Sequence, residues 1–257
     1  MEGSLTGVDM LAALRLQIEW GADEAIVDAP HNRLTVPPSG APALPPRPQP
    51  TAAARPTRAD AAAKAKELAE AASTLPELCE AIQTFTLCPL RDTAAHTVLP
   101  IGPLEAPLIL VGDAPNAPDD AAGQFYSGPI GEFLDRVLES AGLMRAGLLL
   151  VPLLPWRPPG DRPPSVSELA ACLPFLERLI ALAPAQHALV LSPVATRALF
   201  GPDRRIRRGA WTELPIVGRA RPLNVLPSVS VSQARTNGGM KRELWACIRR
   251  LMRVLQQ

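Results

Sequence analysis

From Arg204 to the C-terminus the chain carries twelve basic residues: Arg204, Arg205, Arg207, Arg208, Arg219, Arg221, Arg235, Lys241, Arg242, Arg249, Arg250 and Arg253. Only Asp203, Glu213 and Glu243 stand near to oppose them. Cations gathered like this suit a polyanion such as nucleic acid, and equally a solubilising surface. The formal net charge of the whole chain is only +1, so a global basic field is excluded. Carboxylates concentrate elsewhere, at Asp113 and at the adjacent pair Asp119-Asp120. That pair reads either as a charged rim or as a solvated helix start. Thiol chemistry has little to work with. Cys79, Cys88, Cys172 and Cys247 form no CxxC pair, which predicts free thiols and a reducing, cytoplasmic setting. His31, His96 and His187 are isolated and predict surface or linker roles.

Positioning these groups requires a fold, and the chain supplies one after a different beginning. Residues 9–20 place Met10, Leu11, Leu14, Leu16, Ile18 and Trp20 as a short amphipathic helix within an N-terminal segment, 1–35. Residues 36–57 crowd eight of the chain's 30 prolines and predict an extended, disordered linker. Residues 58–84 are rich in Ala, Glu and Lys and predict one or two lead-in helices, with Pro76 starting the second. A 47% hydrophobic content is enough for one sizeable core, and no apolar run reaches the ~18 residues of a membrane span.

From residue 85 onward, apolar runs alternate with amphipathic stretches. Strands are predicted at 108–111, 148–154, 188–191 and 223–226. Helices are predicted at 130–141 (stopped by Gly142), at 165–182 (Ser165 and Glu168 forming a capping box), at 193–200 and at 240–255. The stretch 228–241 reads as irregular. The alternation predicts a three-layer α/β/α domain over 85–257 around a four-stranded, mainly parallel sheet. Ligands of such sheets sit beyond the carboxyl ends of the strands, so the loops after Val111, Leu154 and Leu226 are the candidate site.

Two of those loops carry motifs. The first reads Gly112-Asp113-Ala114-Pro115-Asn116, then Gly123-Gln124-Phe125-Tyr126-Ser127-Gly128 and Gly131. The second reads Trp156-Arg157-Pro158-Pro159-Gly160-Asp161-Arg162-Pro163, followed by Cys172-Leu173-Pro174-Phe175-Leu176. With Cys88-Pro89-Leu90, Arg208-Gly209-Ala210-Trp211 and Lys241-Arg242-Glu243-Leu244-Trp245, they resemble the family 4 uracil-DNA glycosylases over roughly residues 85–255. The R-P-P-G-x-R-x-P segment is the most specific part. The resemblance implies hydrolysis of the N-glycosidic bond of uracil in DNA, as in base-excision repair, by a base extruded into a pocket.

Carried over position by position, the resemblance assigns the first-loop carboxylate to Asp113 and a motif glycine to Asn116. It assigns the base-stacking aromatic to Tyr126, the base-reading Asn to Pro152 and the leaving-group His to Leu226. Arg157, Arg162, Arg208 and Ser228 become candidate nucleic-acid contacts. Of the four cysteines that hold the family's iron–sulfur cluster, Cys88 and Cys172 match, whereas the other two positions fall on Phe85 and Trp156. This predicts no cluster, no other metal and no other cofactor, with Trp156 filling vacated volume. The replaced positions predict reduced or lost activity. The alternatives are a non-catalytic nucleic-acid-binding paralogue and a protein-interaction module tethered through its N-terminal segment. DNA, single strands included, is the expected partner of a monomer.

Overall fold

A computed structural model of the chain describes residues 57–255 together with Leu16. The expected helix at 9–20, apart from Leu16, and nearly all of the 36–57 stretch lie outside the described residues.

Four short apolar runs form parallel strands, β1 (Leu108–Val111), β2 (Leu149–Val151), β3 (His187–Val190) and β5 (Leu223–Pro227). A fifth, β4 (Thr212–Leu214), runs antiparallel to β5 at the edge, giving the order β2-β1-β3-β5-β4. The sheet therefore has one strand more than the sequence reading anticipated. The run 148–154 yields a strand only to Val151, because Pro152 has no N–H to continue the ladder.

Both faces of the sheet are apolar, as parallel strands covered on two sides must be. Ile109, Val111, Leu149, Val151, Ala188 and Val190 point to one face. There they pack against α1 (Arg58–Ala71), α2 (Leu75–Thr84), α5 (Val166–Leu182) and α6 (Pro193–Phe200). Leu108, Leu110, Leu150, Leu189 and Leu226 point to the other. Their cover is α4 (Gly128–Glu139), α7 (Val231–Thr236) and α8 (Gly238–Leu255). The arrangement is three layers, α/β/α. The lead-in helices α1 and α2 bury Ala61, Ala65, Ala69, Leu78 and Ile82 in the same core as the sheet.

Caps fix where the helices begin. Ser165 accepts from the Glu168 N–H while the Glu168 carboxylate accepts from the Ser165 N–H, closing the capping box at the start of α5. Thr74 caps α2, with Pro76 in its first turn. At its far end, α4 closes with the Leu143 N–H on the Leu138 carbonyl and Gly142 in the left-handed region. The stretch 228–241, expected to be irregular, contains α7. Among the described residues no helix is long and apolar enough to cross a membrane.

β1 lies between β2 and β3, and the chain leaves it towards β2 on one side while β3 leads towards β5 on the other. The carboxyl ends of β1 and β3 thus flank the point where the winding reverses, the place where such sheets open a crevice.

Candidate active site

A cleft of about 390 Å³ opens at that point. Asp113 and Asn116 follow β1, Pro193 and Val194 follow β3, and Ser230, Ser232 and Gln233 follow β5. The Pro158–Pro164 loop supplies Asp161 and Arg162 to one wall. All three loops expected from the sequence contribute, and the end of β3 adds a fourth.

Asp113 is the centre of the polar wall. Its Oδ2 accepts a hydrogen bond from Ser230 Oγ at 2.5 Å, and Ser192 supplies a second hydroxyl. Its carbonyl accepts from the Leu153 N–H at 3.2 Å, tying the first loop to the second. Burial pushes the carboxyl above the ordinary aspartate range, and the two serine hydroxyls pull it partly back.

Asn116 and Asp119 form a reciprocal cap at the start of α3 (Ala117–Ala122), the Asn116 side chain accepting from the Asp119 N–H and the Asp119 carboxylate from the Asn116 N–H. Asp119 also accepts from the Ser127 N–H at 2.7 Å. Asp120 accepts from the N–H groups of Ala95 and His96. Of the two readings of this pair, a solvated helix start does not hold: both carboxylates are buried, with backbone donors in place of water. Only Asp119 reaches the cleft.

Tyr126 forms part of the cleft wall with φ +56°, a left-handed conformation rare for an aromatic residue. Two neighbours hold it there. The Arg145 guanidinium, also paired with Asp135, donates to the Tyr126 carbonyl at 3.0 Å. Gly131 lets that carbonyl approach, since a Cβ at 131 would lie 1.7 Å from it. The ring stands 4.1 Å from that of Phe125. Its hydroxyl lies under Gly112, where a Cβ would come within 2.4 Å, and has no hydrogen-bond partner among the described residues. Burial, and then Asp113 and Asp119, push the phenol well above its ordinary value, so it stays neutral.

The other assigned positions lie away from the cleft. Pro152 packs near Cys172, Phe175 and Leu176 under α5. Leu226 is wholly buried within β5 and packs with the α4, α7 and α8 face. Ser228 is wholly buried too, its N–H donating to the Val190 carbonyl, so it cannot meet a phosphate. The sequence reading ended β5 at Leu226, one residue short of Pro227, and ran β2 on to Leu154, past its end at Val151; the chain from β5 enters the cleft at Ser230. Ser230 was missed, although the alternation Ser228-Val229-Ser230-Val231-Ser232 was a visible sign of polar residues emerging from a strand.

Each assigned arginine has a carboxylate partner. Arg157 pairs with Asp161 at 2.7 Å and Arg208 with Glu243 at 3.5 Å. Arg162 grips Glu168 through both terminal nitrogens, at 2.6 and 2.9 Å, and holds the Glu168 carboxyl down at about 2. Of the three, Arg162 lines the cleft. His96 donates through Nδ1 to the Asp120 carbonyl, and His187 packs edge-on to Trp211. Neither borders the cleft, and His31 lies outside the described residues.

The four positions matching a cluster site lie close together but offer two thiols and two aromatic rings. Cys88 and Cys172 are buried with their sulfurs 3.8 Å apart. Phe85 packs on Trp156 at 6.4 Å and edge-on to Phe175 at 5.3 Å, and Trp156 Nε1 donates to Thr97. A packed aromatic core with two thiols does not fit a group that needs four thiolates. Among the described residues no three His, Cys, Asp or Glu side chains gather elsewhere in a metal-binding arrangement.

Comparison with known proteins agrees with this architecture. The sequence model of the uracil DNA glycosylase superfamily matches residues 99–251. Over 126 residues the chain is 30% identical to a type-4 uracil-DNA glycosylase of Pyrobaculum aerophilum, covering 49% of this chain and 64% of the relative. It is 30% identical to the Archaeoglobus fulgidus protein of the same name, covering 41% of this chain and 53% of the relative. For that of Thermotoga maritima the identity is 31%, covering 38% and 50%. The chain thus spans between half and two thirds of the length of these relatives.

Proposed function

Because this chain belongs to the uracil DNA glycosylase superfamily, we propose that the Asp113 cleft receives a nucleobase of the uracil type, extruded from DNA, and hydrolyses its N-glycosidic bond slowly. The observation that carries this reading is the half-buried Asp113 carboxylate on the cleft wall, bonded to Ser230.

Opening the bond between the sugar carbon and the base nitrogen builds positive charge on the sugar and leaves the electron pair on the base. Asp113 is the anion placed to offset the first. Water adds to the sugar carbon, its proton passes to Asp113, and from there it leaves for solvent or the departing base. The Ser230 and Ser192 hydroxyls favour the ionised form that this role needs. The departing base is met by the Ser232 hydroxyl, by the carboxamides of Asn116 and Gln233 and by an Arg162 guanidinium already committed to Glu168, and among the described residues no imidazole borders the cleft. Removing a single transition-state donor costs about 10²–10³ in rate. That is the physical basis for a slow reaction. Three aromatic or apolar neighbours, Phe125, Tyr126 and Ile130, give the base a surface to lie against.

The test is single-turnover incubation of excess protein with uracil-containing single- and double-stranded oligonucleotides. Product that disappears in Asp113→Ala supports the reading. Absence of product at high enzyme excess refutes the hydrolytic part. A second reading, binding without turnover, is favoured by the Ser230 bond itself, which occupies one of the two carboxylate oxygens. Under that reading the oligonucleotide is retained and no abasic site appears.

A further inference from the structure

Beside the cleft, α4 and α8 leave a second depression of about 430 Å³, which no step above uses. Phe133, Val137 and Trp245 form its apolar surface, and Arg136, Lys241 and Arg242 stand around it. Trp245 is 37% exposed, an unusual place for the largest apolar side chain. The Lys241 ammonium lies 5.5 Å over the Phe133 ring. Along α8, Arg249 and Arg253 continue the exposed face of Arg242 and Trp245 at helical spacing. Among the described residues, none of Arg136, Lys241, Arg242, Arg249 and Arg253 has a carboxylate within ion-pair distance.

The depression and the cleft are both lined from α4. Ile130 borders the cleft and Phe133 borders the depression, three residues apart and so on adjoining turns of one helix face.

We propose that this groove holds the single-stranded flank of a nucleic acid, with a base stacked on Trp245 and phosphates along Arg136, Arg242 and Arg249. The proposal rests on reading the cleft as a nucleobase site. Aromatic faces interleaved with unpaired cations are what a single strand needs, because every base has a π-face and every linkage a charge. The cations extend along α8 well past the apolar depression, which suits a long polyanion better than a short acidic peptide anchored by one apolar side chain.

The test uses the full chain and a labelled oligothymidylate of about 15 nucleotides, containing no uracil, in fluorescence anisotropy. Trp245→Ala is expected to weaken binding about tenfold, the range set by loss of one base–aromatic stack. Arg242→Gln with Arg249→Gln is expected to flatten the salt dependence by about 1.4 in the logarithmic slope, since each phosphate contact on a single strand contributes about 0.7. Arg242 and Arg249 are exposed, so thermal unfolding of their variant should match wild type, and Trp245→Ala, which removes a partly buried ring, is compared at a temperature where it remains folded. Wild-type affinity and wild-type salt slope in both variants would overturn the proposal. So would Trp245-dependent binding of an acidic peptide by a protein that ignores the oligonucleotide. The outcome is separable from the cleft reading, because Trp245-dependent binding without uracil excision removes the hydrolytic reading and leaves the groove.

Discussion

Ser230 donates its hydroxyl to Asp113 at 2.5 Å, joining the loop after the last parallel strand to the loop after the first across 117 positions of sequence. In one contact it brings the candidate anion together with a residue from the loop where the family carries its leaving-group donor. Burial pushes the Asp113 carboxyl up, and the Ser192 and Ser230 hydroxyls pull it partly back.

A pH dependence follows from that opposition. In the proposed reaction Asp113 acts in its ionised form, and burial holds its folded pKa above the ordinary aspartate value of ~3.9. Excision should therefore rise with pH through a midpoint displaced upward from that value. Ser230→Ala removes a bond that favours the anion, so the midpoint should move higher still. Single-turnover rates between about pH 4 and 8 read both.

The Arg162–Glu168 pair makes the opposite kind of prediction. Glu168 sits at about 2 in the folded protein against an ordinary 4.5, held down first by Arg162. A depressed carboxyl stabilises the fold above its unfolded value, and that stabilisation is lost as pH falls from about 4.5 towards 2. Arg162 is nearly half exposed, so solvent discounts the effect, leaving ~2 kcal/mol. Glu168→Gln should cost about that much at pH 7 and little at pH 2, by denaturant unfolding at the two pH values.

Tyr126 carries a buried hydroxyl with no partner among the described residues. Tyr126→Phe keeps the ring and removes the unpaired group, so it should stabilise the fold by about 1 kcal/mol. Thermal or urea unfolding checks the sign, which is unusual for a change in a buried side chain.

Where a cluster would need thiolates, Trp156 is a packed core residue with its indole N–H bonded to Thr97. Trp156→Ala should cost about 3–5 kcal/mol, the range for a large aromatic truncated in a core. Protein purified without oxygen should contain no stoichiometric iron by elemental analysis.

Most of the layering was legible in the sequence, because each parallel strand is a short run of aliphatic residues bounded by turns. β4 was not, since Thr212-Glu213-Leu214 buries only one side chain and takes its pairing from β5. Short, polar α7 gave no apolar period to read; it forms by packing Val231 and Ala234 on the sheet face. Asp113, Asn116 and Tyr126 border the cleft, and placing them in the segment after β1 needs no knowledge of where another strand stops. Pro152, Leu226 and Ser228 lie off the cleft, and seeing that required knowing where β2 and β5 end. The burial of Asp119 and Asp120 was hidden for a different reason. Their partners are backbone N–H groups, which have no signature in side-chain composition.

The most direct test of the site is the single-turnover excision rate of Ser230→His on a uracil-containing single strand. If Ser230 occupies the donor's place beside Asp113, an imidazole there should raise the rate about 10²-fold over wild type, and Asp113→Ala should abolish the gain. An unchanged or lower rate in a folded Ser230→His protein would contradict the assignment of the Asp113–Ser230 pair to the reaction.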